Sequence, residues 1–292
     1  MSLIRNGQVS LQSFILGSFV SSYLLLSALH LWLTAAPQWF LWILSNSWIY
    51  ILAYFILSNI IIRLLYWDDE WMVAVCGNLT GVAFGSGLVI VALDLHGLRI
   101  FGGYVMVLAF FHFSEYFITA ATNPTTLSLD SYLLNHSWAY WLAGSASWAE
   151  YFLELWLFPP IKSLWYVAAA GATICILGEI TRKLSMITAQ KNFNHLVQVR
   201  RQSGHKLVTH GVYGWFRHPS YVGWFWWSVG TQILLINPVC AVLYAVTSWL
   251  FFKERITFEE MTLISFFGQE YIDYQKRVGT GLPFIKGYLL QD

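Results

Sequence analysis

Between Gln190 and Tyr221 a polar stretch carries His195, His205, His210 and His218, in a chain that is otherwise mostly apolar. It runs into Gly211-Val212-Tyr213-Gly214-Trp215-Phe216-Arg217-His218-Pro219-Ser220-Tyr221-Val222-Gly223. Pro219 suits the first turn of a helix, where its missing N–H costs nothing. Backbone N–H groups at that helix start, beside Arg217 and His218, could hold an anionic group of a cofactor. The same spacing also fits a Pro-started helix whose Arg217 snorkels to lipid headgroups.

A second cluster follows at Lys253-Glu254-Arg255 and Glu259-Glu260. Arg255 and Glu259 are four residues apart, so on a helix they share a face. Turned to solvent, they make an ordinary ion pair. Turned inward, they present a cation and an anion side by side, able to orient a carboxylate ligand and a positively charged one together. HExxH, CxxC and GxSxG patterns do not occur, so metal and serine-hydrolase chemistry have no support. Gly85-Ser86-Gly87 lies inside an apolar run and Gly279-Thr280-Gly281 leads into Leu-Pro, so neither is a dinucleotide fingerprint. Cys76, Cys175 and Cys240 sit far apart in apolar runs and read as small buried hydrophobes.

The elements that position these groups must live in lipid. The 292 residues are 57% hydrophobic and only 11% charged, against about 25% charged in ordinary soluble domains. A net charge of +1 argues against a nucleic-acid partner. Apolar runs fall at about residues 12–34, 38–62, 72–93, 101–121, 138–158 and 164–181, then 220–236 and 239–252. Most have the length of a membrane-crossing helix. The first is too long for a signal core, so a cleaved leader is not expected. Asn237-Pro238 is a turn signal, and the last two runs read as a helical hairpin, the second arm short unless it continues beyond Phe252. The fold class is therefore all-α and polytopic, with about eight spans. It is taken as one domain in two regions, 1–181 and 182–292.

Of the 16 lysines and arginines, 12 lie from Arg182 onward, seven of them between the sixth and seventh runs. The positive-inside rule makes that connector cytosolic and, with even numbers of spans on either side, both termini as well. The sequon Asn135-His136-Ser137 then faces the cytosol and should carry no glycan. Asp94, His112, Glu115, Glu150, Glu154 and Glu179 are polar groups within or beside the early runs. Such groups either pair with neighbouring helices or mark an ion pathway, the second reading being that of a transporter. Gly81 and Gly85 form a GxxxG pair suited to helix packing.

The run Leu207-Val208-Thr209-His210-Gly211-Val212-Tyr213 through Arg217-His218-Pro219-Ser220-Tyr221-Val222-Gly223-Trp224 strongly resembles isoprenylcysteine carboxyl methyltransferases. Phe251-Phe252-Lys253-Glu254-Arg255 with Glu259-Glu260, and Gly281-Leu282-Pro283-Phe284-Ile285-Lys286-Gly287, fit the same family, and the span count suits its animal members. The Arg-His-Pro-x-Tyr-x-Gly start alone is also similar to that of membrane phospholipid methyltransferases and sterol reductases. One departure is visible, Ile256-Thr257-Phe258 standing where an acidic run is usual.

The resemblance implies methyl transfer from S-adenosylmethionine to the C-terminal carboxylate of a farnesyl- or geranylgeranyl-cysteine, on proteins such as small GTPases, in the endoplasmic reticulum membrane. It implies cofactor contacts at Gln198, His205, Lys206, Leu207, Val208, Tyr213, His218, Pro219, Ser220, Tyr221 and Glu259. The substrate arginine would be Arg255, the residue expected to serve both binding and catalysis. A prenylcysteine carboxylate is already ionised at neutral pH and needs no general base. Its lipid tail favours an intramembrane enzyme, at about 0.8 kcal/mol per buried CH₂.

Overall fold

The computed structural model describes residues 3–33, 38, 42, 46–66, 70–93, 98–135, 137–201 and 204–289. Asp94, His136 of the sequon and much of the stretch 38–46 in the second apolar run lie outside the described residues. Among the described residues every regular element is helical. The chain forms two units, Met1–Ala121 with Leu127–His136, and Thr122–Thr126 with Ser137–Asp292.

The first unit contains α1 (Arg5–Leu33), α2 (Ser47–Leu65), α3 (Glu70–Leu93) and α4 (Arg99–Thr122). Helices α1 and α3 cross closely because glycine removes the side chains between them. A Cβ at Gly81 would stand 2.2 Å from Phe14 O, and one at Gly77 would stand 2.7 Å from Ser10 O. The small-residue seam thus includes Gly81 of the expected pair and also Gly77, one turn earlier. Stacked rings of Phe14 and Phe113, centroids 3.9 Å apart, bring α4 onto α1. Tyr132 is fully buried and donates to Ser10 Oγ at 2.7 Å, while its carbonyl lies 2.8 Å from His112 Nδ1. His112 is therefore a satisfied packing residue. The segments Trp48–Leu65, Glu70–Ala92 and Arg99–Thr122 are long and apolar enough to cross a bilayer. Leu52, Ile56 and Ile60 of α2 are half exposed, as suits a face solvated by lipid.

The second unit contains α5 (Trp138–Leu157), α6 (Trp165–Ala189), α7 (Pro219–Leu235), α8 (Pro238–Phe267) and α9 (Gln269–Arg277). Helices α6 and α7 meet along Gly171, Gly178, Gly223 and Gly230; a Cβ at Gly178 would lie 2.7 Å from Gly223 O. Helix α6 does not end at the charges near 182. It runs on to Ala189, because Arg182 is buried, donates to Ser220 Oγ at 2.8 Å and lies over the Trp224 ring. Ile236 adopts the left-handed conformation (φ 56°), Asn237 follows, and Pro238 starts α8. That helix continues through the charged stretch beyond Phe252 for 30 residues in all, roughly 45 Å. Val222, Phe225 and Val229 of α7 pack on Phe252 and Ile256 of α8 with Leu282 and Ile285 of the C-terminal segment.

At the α7–α8 junction the two carboxylates at 150 and 154 are both committed. Glu150 accepts from Val239 N and Cys240 N, each at 2.7 Å, capping α8 where Pro238 has no N–H. Glu154 accepts from Lys162 Nζ at 2.6 Å. The same ammonium reaches Leu235 O, Ile236 O and Asn237 Oδ1 at 2.9–3.0 Å. These groups act as helix-to-helix partners, and the transporter reading loses their support.

Candidate active site

Helix α6 stops at Gln190, which takes φ 49°, and the polar connector then lies along the C-terminal half of α8. Its contacts are specific. His195 O accepts from Arg255 Nη2 at 2.6 Å. Arg201 donates to Phe266 O at 2.8 Å and lies over the Phe267 ring. His205 packs edge-on against Phe267 and tilted against Phe266. Arg255 and Phe266 are 11 residues apart, roughly 16 Å of helix. Among the described residues His205 Nδ1 is buried without a hydrogen-bond partner. Burial and the nearby Arg201 charge push the His205 pKa down, so the ring is neutral at pH 7 and offers both a donor and an acceptor.

Tyr221 stands at the centre of the second cluster. Its hydroxyl accepts from Arg255 Nε at 2.9 Å and donates to Glu259 Oε2 at 2.5 Å. Its ring stacks on His218, centroids 5.5 Å apart and 6° from parallel, and on Phe252. The shared α8 face expected for Arg255 and Glu259 therefore exists, but the two are not directly paired. Among the described residues no carboxylate oxygen lies within 4 Å of the Arg255 guanidinium. Glu259 is partly exposed, and its Oε2 is 3.8 Å from His218 Nδ1.

Glu260, the adjacent residue, points elsewhere and is fully buried. Its Oε1 accepts from Arg217 Nε at 2.7 Å, Tyr271 Oη at 3.1 Å, and lies 3.0 Å from His218 Nε2. Its Oε2 accepts from Gln275 Nε2 at 2.9 Å and Tyr288 N at 2.8 Å. Burial alone would raise this carboxyl's pKa, but hydrogen bonds and charge from His218 and Arg217 bring it down to about 2. Arg217 also donates to Lys286 O at 2.8 Å, to Gln275 O and to Val278 O. Arg217 N and His218 N are taken by Gly279 O and Thr280 O. The snorkelling reading of Arg217 is thus corrected. The side chain does not reach out to lipid headgroups; it ties the C-terminal segment to the start of α7.

The remaining expected residues divide. His218, Tyr221, Glu259 and Arg255 come together directly. Pro219 opens α7, and the Ser220 hydroxyl is engaged by Arg182. Tyr213 is held through its carbonyl, which accepts from Tyr274 Oη at 2.5 Å. Burial, then Glu259, pushes the Tyr213 pKa up. Gln198 donates to Leu196 O within the connector. Lys206 N donates to Asn192 Oδ1 at 2.8 Å, while Leu207 and Val208 are half-buried beside it. Arg182 and the Glu260 partners Tyr271, Gln275 and Tyr288 went unrecognised in the sequence. Only the buried arginine had a signal, a cation three residues after Glu179 in an apolar run.

A family model described as the isoprenylcysteine carboxyl methyltransferase (ICMT) family matches residues 171–265. A protein-S-isoprenylcysteine O-methyltransferase of Xenopus laevis is 46% identical, over 99% of this chain and 98% of its own. The Homo sapiens protein of the same name is 48% identical, over 78% of this chain and 80% of its own. A solved structure described as the eukaryotic intramembrane Ras methyltransferase ICMT superposes with a TM-score of 0.90. It is 44% identical, covering 98% of this chain and 99% of that one.

Proposed function

This chain belongs to the isoprenylcysteine carboxyl methyltransferase family and methylates the carboxyl group of prenylated cysteine, and we propose that it does so with S-adenosylmethionine. Its substrates are farnesylated or geranylgeranylated proteins such as small GTPases. The site faces the cytosol at the endoplasmic reticulum membrane, with eight spans and α7 and α8 forming a hairpin. The observation that carries this reading is the arrangement around Tyr221. It joins an arginine that has no carboxylate within 4 Å among the described residues to a partly exposed carboxylate, on neighbouring turns of one helix.

The residues fit a polar, cationic cofactor. His205 Nδ1 is a buried polar atom lacking a protein partner among the described residues. Glu259 offers an anion that is open to solvent in part. Gln198, the backbone from His205 to Val208, Tyr213, and His218 to Tyr221 would hold the cofactor, with Glu259 near its positive charge. When bound, S-adenosylmethionine supplies an electrophilic methyl group on a cationic sulfur.

The chain's own task is then to bind and orient. The substrate carboxylate is ionised at neutral pH, so no side chain has to remove a proton. Arg255 holds it with a planar, two-pronged guanidinium, fixing the oxygen that reacts. Tyr221 and Phe251 flank that guanidinium with their rings, at 5.5 and 5.9 Å, and help to exclude water that would otherwise hydrate the carboxylate. With the polar half of the site on the water side of α8, beneath the connector, the prenyl tail remains in lipid.

Purified protein given labelled S-adenosylmethionine should methylate N-acetyl-S-farnesylcysteine and leave phosphatidylethanolamine unlabelled. Label in the phospholipid alone would reverse the assignment.

A further inference from the structure

Arg255 and Glu259 have the spacing at which a helix ordinarily closes a direct ion pair. They do not close one, because the Tyr221 hydroxyl stands between them. We propose that Tyr221 is a positioning residue that holds Arg255 apart from Glu259 and so keeps the guanidinium available to the substrate carboxylate. The inference rests on the functional reading above and assigns Tyr221 a part beyond contact with the cofactor.

Three observations support it. A phenol can accept one hydrogen bond and donate another at the same time, and Tyr221 does both, accepting from Arg255 Nε and donating to Glu259 Oε2. Its ring cannot swing aside, being stacked between His218 and Phe252. Arg255 is steadied further by His195 O on Nη2, whereas Nη1 has no hydrogen-bond partner among the described residues. The guanidinium is thus held by neutral oxygens and keeps donor capacity for an incoming carboxylate.

Removing the hydroxyl alone should reverse this. In Tyr221→Phe the ring packing survives, but a half-buried cation and a half-buried anion each lose a partner. Leaving both unsatisfied is costly, and their shared face lets them close on each other. The substrate carboxylate would then have to displace a charged competitor. Glu259→Gln in the same background removes that competitor's charge, so the second change should repair the first. A merely structural tyrosine has no such repair.

The test is equilibrium binding of radiolabelled N-acetyl-S-farnesylcysteine to the purified full chain without cofactor, with KM and kcat measured separately at saturating cofactor. Tyr221→Phe should bind the ligand about tenfold or more weakly and raise its KM, with kcat changed far less. Tyr221→Phe with Glu259→Gln should bind within about threefold of wild type. Glu259→Gln alone, which keeps Tyr221, should bind prenylcysteine at least as well as wild type even as its cofactor affinity falls. Wild-type binding with an unaffected Tyr221→Phe, with a double variant no tighter than Tyr221→Phe, or with weakened binding in Glu259→Gln overturns the inference alone. A wild-type protein that does not bind prenylcysteine overturns the functional reading and the inference together.

Discussion

Gly287 lies so close to Glu260 that a Cβ on it would stand 1.9 Å from Oε2, and its φ of 82° is one that L side chains avoid. The carboxylate cannot retreat, because five groups hold it. Gly287→Ala should therefore detach the C-terminal segment from α8. The backbone conformation alone costs about 1–2 kcal/mol, and the overlap adds to it. Thermal unfolding in detergent should shift down by several degrees, and proteolysis beyond Arg277 should become fast. An unchanged melting temperature and an intact C-terminus would contradict this.

Glu260 makes stability depend on acid. Its carboxyl titrates near 4.5 in the unfolded chain and at about 2 in the folded one, lowered by His218 and Arg217 against the effect of burial. The charged form thus contributes in full above about pH 4.5, and the contribution is lost as pH falls toward 2. Glu260→Gln should be less stable at neutral pH by about 3 kcal/mol, since it strands the Arg217 charge in the interior. The gap between the two proteins should narrow through that window. A gap independent of pH would show that the buried carboxylate is not the group responsible.

The Lys162 ammonium stabilises the α7–α8 junction through four oxygen acceptors and the Tyr151 ring 4.7 Å away. Lys162→Met should cost about 3 kcal/mol, most of it from the stranded Glu154 charge. Adding Glu154→Gln should recover part of that loss, as measured by thermal unfolding. Methyl transfer per folded molecule should be nearly unchanged, because this junction touches none of the groups around Tyr221. Strict additivity of the two substitutions would contradict the pairing.

The residues that carry the chemistry were easier to read from the sequence than the ones that hold them in place. Arg255 and Glu259 share a face because an i, i+4 spacing guarantees it on any helix. The hydroxyl between them belongs to Tyr221, 34 residues earlier, and no local rule brings it there. Glu259 and Glu260 look interchangeable in sequence, yet adjacent helical positions point about 100° apart. One reaches Tyr221 and the other is buried among Arg217, His218 and Tyr271. The end of an apolar run does not mark the end of its helix. Arg182 is buried by Ser220 and Trp224, so α6 continues past it. The glycine seam of α1 and α3 is legible in the sequence at Gly81, whereas Gly77, one turn earlier, also meets the α1 backbone and spacing alone does not show it.

The central claim is that Arg255 grips the substrate carboxylate, and methyl transfer by wild type, Arg255→Ala and Arg255→Lys tests it most directly. Labelled S-adenosylmethionine and N-acetyl-S-farnesylcysteine are varied separately, so that cofactor and substrate effects are read independently. An arginine engaged only with Tyr221 and His195 would leave turnover in Arg255→Ala close to normal and cost a little stability. An arginine that orients the nucleophile makes activity fall by orders of magnitude while cofactor affinity is largely kept. Lysine restores the charge without the two-pronged geometry and should recover only a small part of the rate. Near-normal turnover in Arg255→Ala would contradict the account.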